Sequence, residues 1–329
     1  MGVVIVSESS TDEFFERIKA ALRQVGIDPH HVRHRSDDEF PYTVLNDADV
    51  LLAYGHFRCT EAVMLAAPHL RAVVSPWVGI DGFDVEAATR LGIAVVNGQP
   101  EEHSQSMAEA AVMMILAASY GLPQALRAID TNAPRPATPV AELLAGKTLG
   151  IVGYGQIGRR VAALMENWQI SVKAHDPFSK TRPTGVDLLP LDQLLRISDV
   201  VTLHTTLTAE TRHIIDTARL RLMKSDAILV NTARGGLIDE GALFDAMESG
   251  HLRGAALDVF ETEPLPLDSP LRSLPNVLLT PHMIGQTKQS RAALIDVAVT
   301  NVTALLSGKL PDSLRNRDVK RFWLTRWST

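Results

Sequence analysis

Along the first hundred residues, short aliphatic and β-branched runs alternate with stretches whose apolar positions recur every three to four residues. The short runs predict strands over 3–6, 50–53, 72–75 and 93–96, and the longer ones predict helices over 12–25, 61–67 and 85–91. Residues 108–118 are apolar almost all round and read as a buried helix, and three prolines in 131–139 mark a loop or arm. From residue 149 the alternation restarts. It predicts strands over 149–152, 171–174, 200–204, 228–231, 255–258 and 277–279, and a long closing helix over 290–306. Repeated strand–helix units argue for parallel, doubly wound sheets, and two such runs argue for two α/β lobes.

Composition narrows the class. At 329 residues the chain suits two domains. A formal net charge of −6 gives no support to nucleic-acid binding, which needs basic patches to meet phosphates. No run of 18 or more apolar residues occurs, so no membrane-spanning helix is expected. MGVVIVSESS reads as a first strand rather than as a signal peptide. The single cysteine, Cys59, forms no internal disulfide and leaves no cysteine-rich metal site, which suits a cytoplasmic location.

Candidate chemistry begins with KTLGIVGYGQIGRRV at 147–161: a strand, then Gly153-x-Gly155-x-x-Gly158, then a helix start. Alone, three spaced glycines describe only a turn. Between a strand and a helix they form a dinucleotide fingerprint: the first glycine permits the tight turn, the second admits the pyrophosphate and the third lets helix and strand pack closely. The helix start offers free N–H groups to phosphates. Asp176, 18 residues past Gly158, can accept from the adenosine ribose hydroxyls and would repel a 2′-phosphate, which favours NAD. An Asp before Pro177 also reads as a turn former, and Lys180 and Arg182 leave room for a phosphate.

Three later segments end predicted strands with polar residues: Ile228-Leu-Val-Asn-Thr-Ala-Arg-Gly-Gly236, Ala256-Leu-Asp-Val-Phe-Glu-Thr-Glu-Pro264 and Leu279-Thr-Pro-His-Met-Ile-Gly285. Ligands of doubly wound sheets bind at the carboxyl ends of strands, which makes Arg234, Asp258, Glu263 and His282 candidates to act together. Carbonyl reduction needs such a set. A histidine gives the proton, a carboxylate fixes its tautomer and favours its charged form, and an arginine forks onto a substrate carboxylate. Singly, each has a plainer reading: His282 as a core histidine, Arg234 as an ion-pair member, Glu263 as a loop charge.

Together GYGQIG, Asp176, NTARGG, LDVFETEP and TPHMIG resemble the D-2-hydroxyacid dehydrogenase family. The resemblance takes in VSPWVGIDGFD at 74–84, Met107-Ala-Glu109 and HTTLTAET at 204–211. It implies two Rossmann-like domains, with a cofactor domain (102–285) inserted into a split substrate domain (1–101 and 286–329) and the active site in the cleft. It implies that His282 is the general acid/base paired with Glu263, and that Arg234 binds the substrate carboxylate with backbone N–H groups of Val78 and Gly79. It implies cofactor contacts from Gly153, Gly155, Gln156, Ile157, Asp176, His204, Thr232, Ala233, Asp258, His282 and Gly285, with Asp258 on the nicotinamide carboxamide. The expected protein is a homodimeric, NAD-dependent oxidoreductase acting on a small 2-oxo or D-2-hydroxy acid, with no metal, nucleic-acid or membrane partner. Phosphite oxidation and an NAD-sensing corepressor-like role are the alternatives. Formate oxidation is disfavoured, because those relatives carry glutamine where Glu263 stands.

Some positions depart from the family pattern: Thr206 for a proline, His103 near a usual asparagine, Gln286 for a small residue and Tyr120 for an arginine. His56, in the Tyr54-Gly-His-Phe-Arg58 turn, is a candidate substrate contact. His30, His31 and His34 read as a surface loop with no ordered acidic partners. The tail from Arg315, with five basic residues and two tryptophans, reads as a solvated terminal segment, or as one whose tryptophans pack on the body or a partner subunit.

Overall fold

The computed structural model describes residues 2–34, 40–179 and 185–327, so Lys180 and Arg182 lie outside the described residues. It divides into two compact units, Met1–His103 with Thr287–Thr329, and Ser104–Gln286.

The first unit opens with β1 (Gly2–Ser7), α1 (Asp12–Gln24), β2 (His30–Arg33), β3 (Ala48–Ala53), α2 (Glu61–Leu65), β4 (Ala72–Ser75), α3 (Val85–Leu91) and β5 (Ala94–Asn97). The strands are parallel in the order β2-β1-β3-β4-β5. Helix α1 carries Asp12 and Glu13 in its first turn and Arg23 in its last, matching the helix dipole, and buries Phe14, Phe15, Ile18 and Leu22. β3, β4 and β5 are buried at every position, as expected of strands covered on both faces. Buried Cys59 has its thiol pushed up to about 12 by desolvation, so it stays protonated and unreactive at neutral pH.

The histidines at 30–34 correct the expected surface loop. His30 and His31 belong to edge strand β2, whose polar sequence carries no apolar run to announce it. His34 is buried. The His31 side chain is only 4% exposed, with Nε2 2.8 Å from Ser7 Oγ and Nδ1 2.9 Å from Glu16 Oε1. Acidic partners do accompany it: ligating atoms of Asp12, Glu16 and His31 lie within 4.8 Å of one another. Arg33 also pairs with Asp12, and that bond comes first among the causes holding the Asp12 carboxyl below its usual range.

Helix α4 (Glu101–Ser119) leads into the second unit. Then follow α5 (Leu122–Asp130), β6 (Thr148–Val152), α6 (Gln156–Met165), β7 (Ser171–His175), β8 (Asp187–Leu188), α7 (Leu191–Ile197), β9 (Val200–Leu203), α8 (Thr217–Leu220), β10 (Ile228–Asn231), α9 (Glu240–Glu248), β11 (Gly254–Leu257) and β12 (Val277–Leu279). These seven strands form a parallel sheet, β12-β11-β10-β9-β6-β7-β8. Side chains alternate between two cores. Val201, Leu229 and Ala255 join one, while Val200, Ile228, Val230 and Ala256 join the other. That is why β9, β10 and β11 are apolar at most positions rather than at every second one. Among the described residues no single helix is long and apolar enough to cross a membrane; α4 and α5 together pass by length and composition but are bent by 64°.

The chain then returns to the first unit with α10 (Lys288–Leu306), opened by a Thr287–Ser290 capping box and packed against α1, β3 and β4. It finishes with α11 (Lys320–Trp327). Here the solvated-tail reading is overturned. Trp323 has no exposed surface, and its indole N–H donates to Arg71 O at 2.7 Å. Asn316 is buried as well, receiving Val95 N–H at 2.8 Å and donating to Ile93 O at 2.9 Å.

Candidate active site

The loop after β12 sets His282. Its backbone N–H donates to Asp258 O at 2.8 Å, and the residue sits at φ +50°, in the left-handed region. A non-glycine residue there carries strain and needs its surroundings to hold it. Asp258, buried just past β11, supplies that hold. Its Oδ1 accepts the Thr280 hydroxyl at 2.7 Å and Met283 N–H at 3.1 Å, and its Oδ2 accepts Ile284 N–H at 3.3 Å. Burial pushes the Asp258 carboxyl up, against the lowering effect of those bonds. The His282 ring then meets Glu263, with Nδ1 2.7 Å from Oε2, while the other carboxylate oxygen receives Phe260 N–H at 3.0 Å.

Arg234 follows the fully buried strand β10. Asn231 braces its turn twice, with Nδ2 donating to Arg234 O at 2.8 Å and Oδ1 accepting Ala233 N–H at 3.0 Å. The guanidinium Nη1 donates to Ala233 O at 2.6 Å. The next residue explains the double glycine. A Cβ on Gly235 would lie 1.8 Å from the Phe260 carbonyl carbon, so the turn bearing Arg234 presses main chain to main chain on the turn bearing Glu263. The latter turn is held from a second side. Glu240 accepts Glu261 N–H at 2.6 Å, and His213 Nε2 lies 2.7 Å from Glu261 Oε1. Burial, then the charges of Glu261 and Glu263, hold the Glu240 carboxyl above its usual range.

At the glycine turn, Gly153 adopts φ +93° and donates to His175 O at 2.8 Å. Gly155 caps α6, and the first-turn N–H groups of Gln156 and Ile157 have no acceptor within the helix. The Gln156 side chain accepts from Ser104 Oγ at 3.0 Å, and Ile157 packs on the core. Asp176, just past β7, takes Tyr154 N–H at 3.0 Å on one oxygen and Phe178 N–H at 2.9 Å on the other. His204 lies just past β9 with Nε2 3.0 Å from Thr202 Oγ1, and burial lowers its pKa to about 4, so the ring is neutral at physiological pH. Gly285 O accepts the Ser106 hydroxyl at 2.7 Å, and its α-carbon packs on Met107.

In the first unit, Val78 and Gly79 form the turn after β4. Their carbonyls are occupied, by Asn97 Nδ2 at 2.6 Å and Ser75 Oγ at 2.8 Å. Among the described residues their N–H groups make no hydrogen bond. The neighbouring turn carries exposed His56, and Gly55 there lies against the Gly79 carbonyl.

Residues 112–284 match the NAD binding domain of D-isomer specific 2-hydroxyacid dehydrogenases. The chain belongs to that family. It is 39% identical to the D-3-phosphoglycerate dehydrogenase of Methanocaldococcus jannaschii over 83% of this chain and 52% of that one, so it spans about half that relative's length. It is 39% identical to the glyoxylate reductase of Aeropyrum pernix over 85% of this chain and 87% of that one. Its fold is similar to D-lactate dehydrogenase from Aquifex aeolicus complexed with NAD and lactic acid, at TM-score 0.81 and 27% identity, covering 93% of this chain and 96% of that one.

The second unit fits NAD on its own geometry. A Cβ on Gly155 would meet nothing within 4 Å, which leaves open space at the start of α6, while one on Gly158 would strike Gly153 O. Among the described residues Thr232 Oγ1 is buried with no hydrogen-bond partner, a polar atom left for a ligand. Sequence reasoning missed three supports: Asn231, the Asp258 brace on the histidine loop, and the Glu240–Glu261–His213 chain. Only Asn231 left a signal, as a polar residue closing an apolar strand.

Proposed function

We propose that the chain interconverts a small 2-oxo acid and the corresponding D-2-hydroxy acid with NAD(H). The 2.7 Å contact between His282 Nδ1 and Glu263 Oε2 carries this reading. Bound NADH supplies the hydride that reduces the substrate carbonyl. With Nδ1 engaged by Glu263, the exchangeable proton sits on Nε2 of His282, which gives it to the developing alkoxide and takes it back in the reverse direction. Glu263 balances the imidazolium and fixes its tautomer. Arg234 binds the substrate carboxylate and polarises the adjacent carbonyl, helped by the unbonded N–H groups of Val78 and Gly79, with His56 as a side-chain contact. Asp176 receives the adenosine ribose hydroxyls, Thr232 and Ala233 line the cofactor, and Asp258 holds the nicotinamide carboxamide with the accepting capacity its loop bonds leave.

A panel of 2-oxo acids, glyoxylate and hydroxypyruvate among them, followed by NADH absorbance tests the reading. Turnover on at least one acid, lost by at least about 10²-fold in His282→Ala with NADH binding intact, is the expected result. NADH binding without turnover on any acid points instead to the sensor role. Turnover unchanged in His282→Ala removes the assignment. A homodimer belongs to the same proposal. It is supported by α5, which buries none of its residues and leaves Leu122, Leu126 and Ile129 exposed. Light scattering that gives a monomer at micromolar concentration argues against it.

A further inference from the structure

The basic tail has no part in the reading above, yet it is folded in place. Trp323 and Asn316 anchor it to the first unit, and Arg315 N–H donates to Val95 O at 2.8 Å. Between this anchored segment and α3 lies an open groove of about 1120 Å³. Four arginines line it: Arg90, Arg315, Arg317 and Arg326. Among the described residues that line it, Glu86 and Asp318 are the carboxylates against four arginines, so the groove is cationic on a chain whose formal net charge is −6. Arg90 pairs with Glu61 at 3.1 Å, and Arg326 lies over the Trp327 ring at 4.6 Å. Among the described residues Arg315 and Arg317 make no ion pair, although two carboxylates line the same groove. Phe322, also lining the groove, is 66% exposed beside a fully buried tryptophan.

We propose that this groove binds a nucleoside polyphosphate, with Arg315 and Arg317 on the phosphates and the base stacked on Phe322. The fork of a guanidinium matches phosphate oxygens two at a time, and a backbone already fixed in place leaves only side-chain ordering as the conformational cost of binding. Arg315 and Arg317, two residues apart and in no ion pair among the described residues, repel each other, and a multiply charged phosphate relieves that repulsion. An exposed aromatic face next to arginines suits a flat heterocycle, whose stacking is tolerant of base identity. The residues lining the site all belong to the first unit, whereas the glycine fingerprint belongs to the second, so the proposal stands independently of the proposed reaction.

The test uses the full chain saturated with NADH, so that the dinucleotide site is filled. ATP, inorganic tripolyphosphate and a single-stranded RNA of about twenty nucleotides are each titrated by calorimetry at physiological salt. One ATP should bind per chain. Arg315→Ala and Arg317→Ala should each weaken it about tenfold or more, the loss expected for one charged hydrogen-bonding partner, while NADH titrations stay unchanged and so report intact folding. Arg317→Lys should recover part of the affinity, and Phe322→Ala should weaken ATP but not tripolyphosphate. No ATP binding at NADH saturation overturns the proposal, as does binding that both arginine variants leave intact. Binding of RNA alone overturns it in favour of a nucleic-acid surface. Tripolyphosphate binding as tightly as ATP overturns the stacking half.

Discussion

Glu263→Gln probes the proposed proton transfer most directly, because the structure dictates how the new amide must sit. One Glu263 oxygen receives Phe260 N–H and the other meets His282 Nδ1. In the variant the amide carbonyl must take the Phe260 N–H, since an NH₂ there would face another donor. The NH₂ group therefore turns to His282 and donates to Nδ1, and the neutral ring must carry its proton on Nε2. In the oxidative direction that ring has no lone pair with which to accept the substrate proton. In the reductive direction the imidazolium form has lost its carboxylate and faces an amide donor. A wrong histidine tautomer costs about 10⁴ in rate, or about 5.5 kcal/mol of barrier. Stability should move far less. The two side chains are 39% and 30% exposed, so the pair contributes at most about 1 kcal/mol after solvent screening. The assay measures kcat in both directions by NADH absorbance, with cofactor affinity by NADH fluorescence and urea midpoints alongside. We expect about 10³–10⁴-fold loss of kcat with near-normal NADH binding. A variant within threefold of the parent in both directions would refute the tautomer reasoning.

Three further outcomes follow from neighbouring geometry. Asp258→Ala strands the Thr280 hydroxyl and the Met283 and Ile284 N–H groups, and should cost about 3 kcal/mol, read as a lower urea midpoint at unchanged slope. Gly235→Ala drives a methyl into the Phe260 backbone and must part the Arg234 and Glu263 turns, so kcat/KM should fall about 10²-fold while NADH still binds. His204, lowered from 6.5 to about 4, gives stability that is complete above pH 6.5, is lost progressively as the unfolded chain protonates first, and levels off below about 4. That amounts to about 2 kcal/mol between pH 7.5 and 5, and histidine ¹⁵N shifts should show this ring still neutral at pH 5; a protonated ring there contradicts the burial argument.

The principal strands and helices are readable because the central β-runs of the second unit, β9, β10 and β11, are buried and mostly apolar on both faces, a signal that needs no partner to interpret. β2 was not, since an edge strand of histidines and arginine satisfies its backbone without an apolar stripe. The basic tail misled for a related reason: one tryptophan among charges looks solvated until the Arg71 carbonyl and a matching cavity receive it. At the site, residue types and order pointed to Arg234, Glu263 and His282. What no spacing could show is that Asp258 spends three hydrogen bonds on the histidine loop, or that Gly235 is a backbone contact. Such facts depend on which strand ends are neighbours, and β10 beside β11 beside β12 is a property of the sheet.

The anchoring of Trp323 has a consequence for biosynthesis. The second unit is one continuous stretch, so its sheet can close as soon as residue 286 has left the ribosome. The first unit cannot do the same, although all five of its strands are made before the second unit. Its core includes Leu294, Ala298, Val302, Val319 and Trp323, and β5 waits for Asn316. A nascent chain therefore carries an unfinished N-terminal sheet for most of its synthesis and finishes its oldest part last.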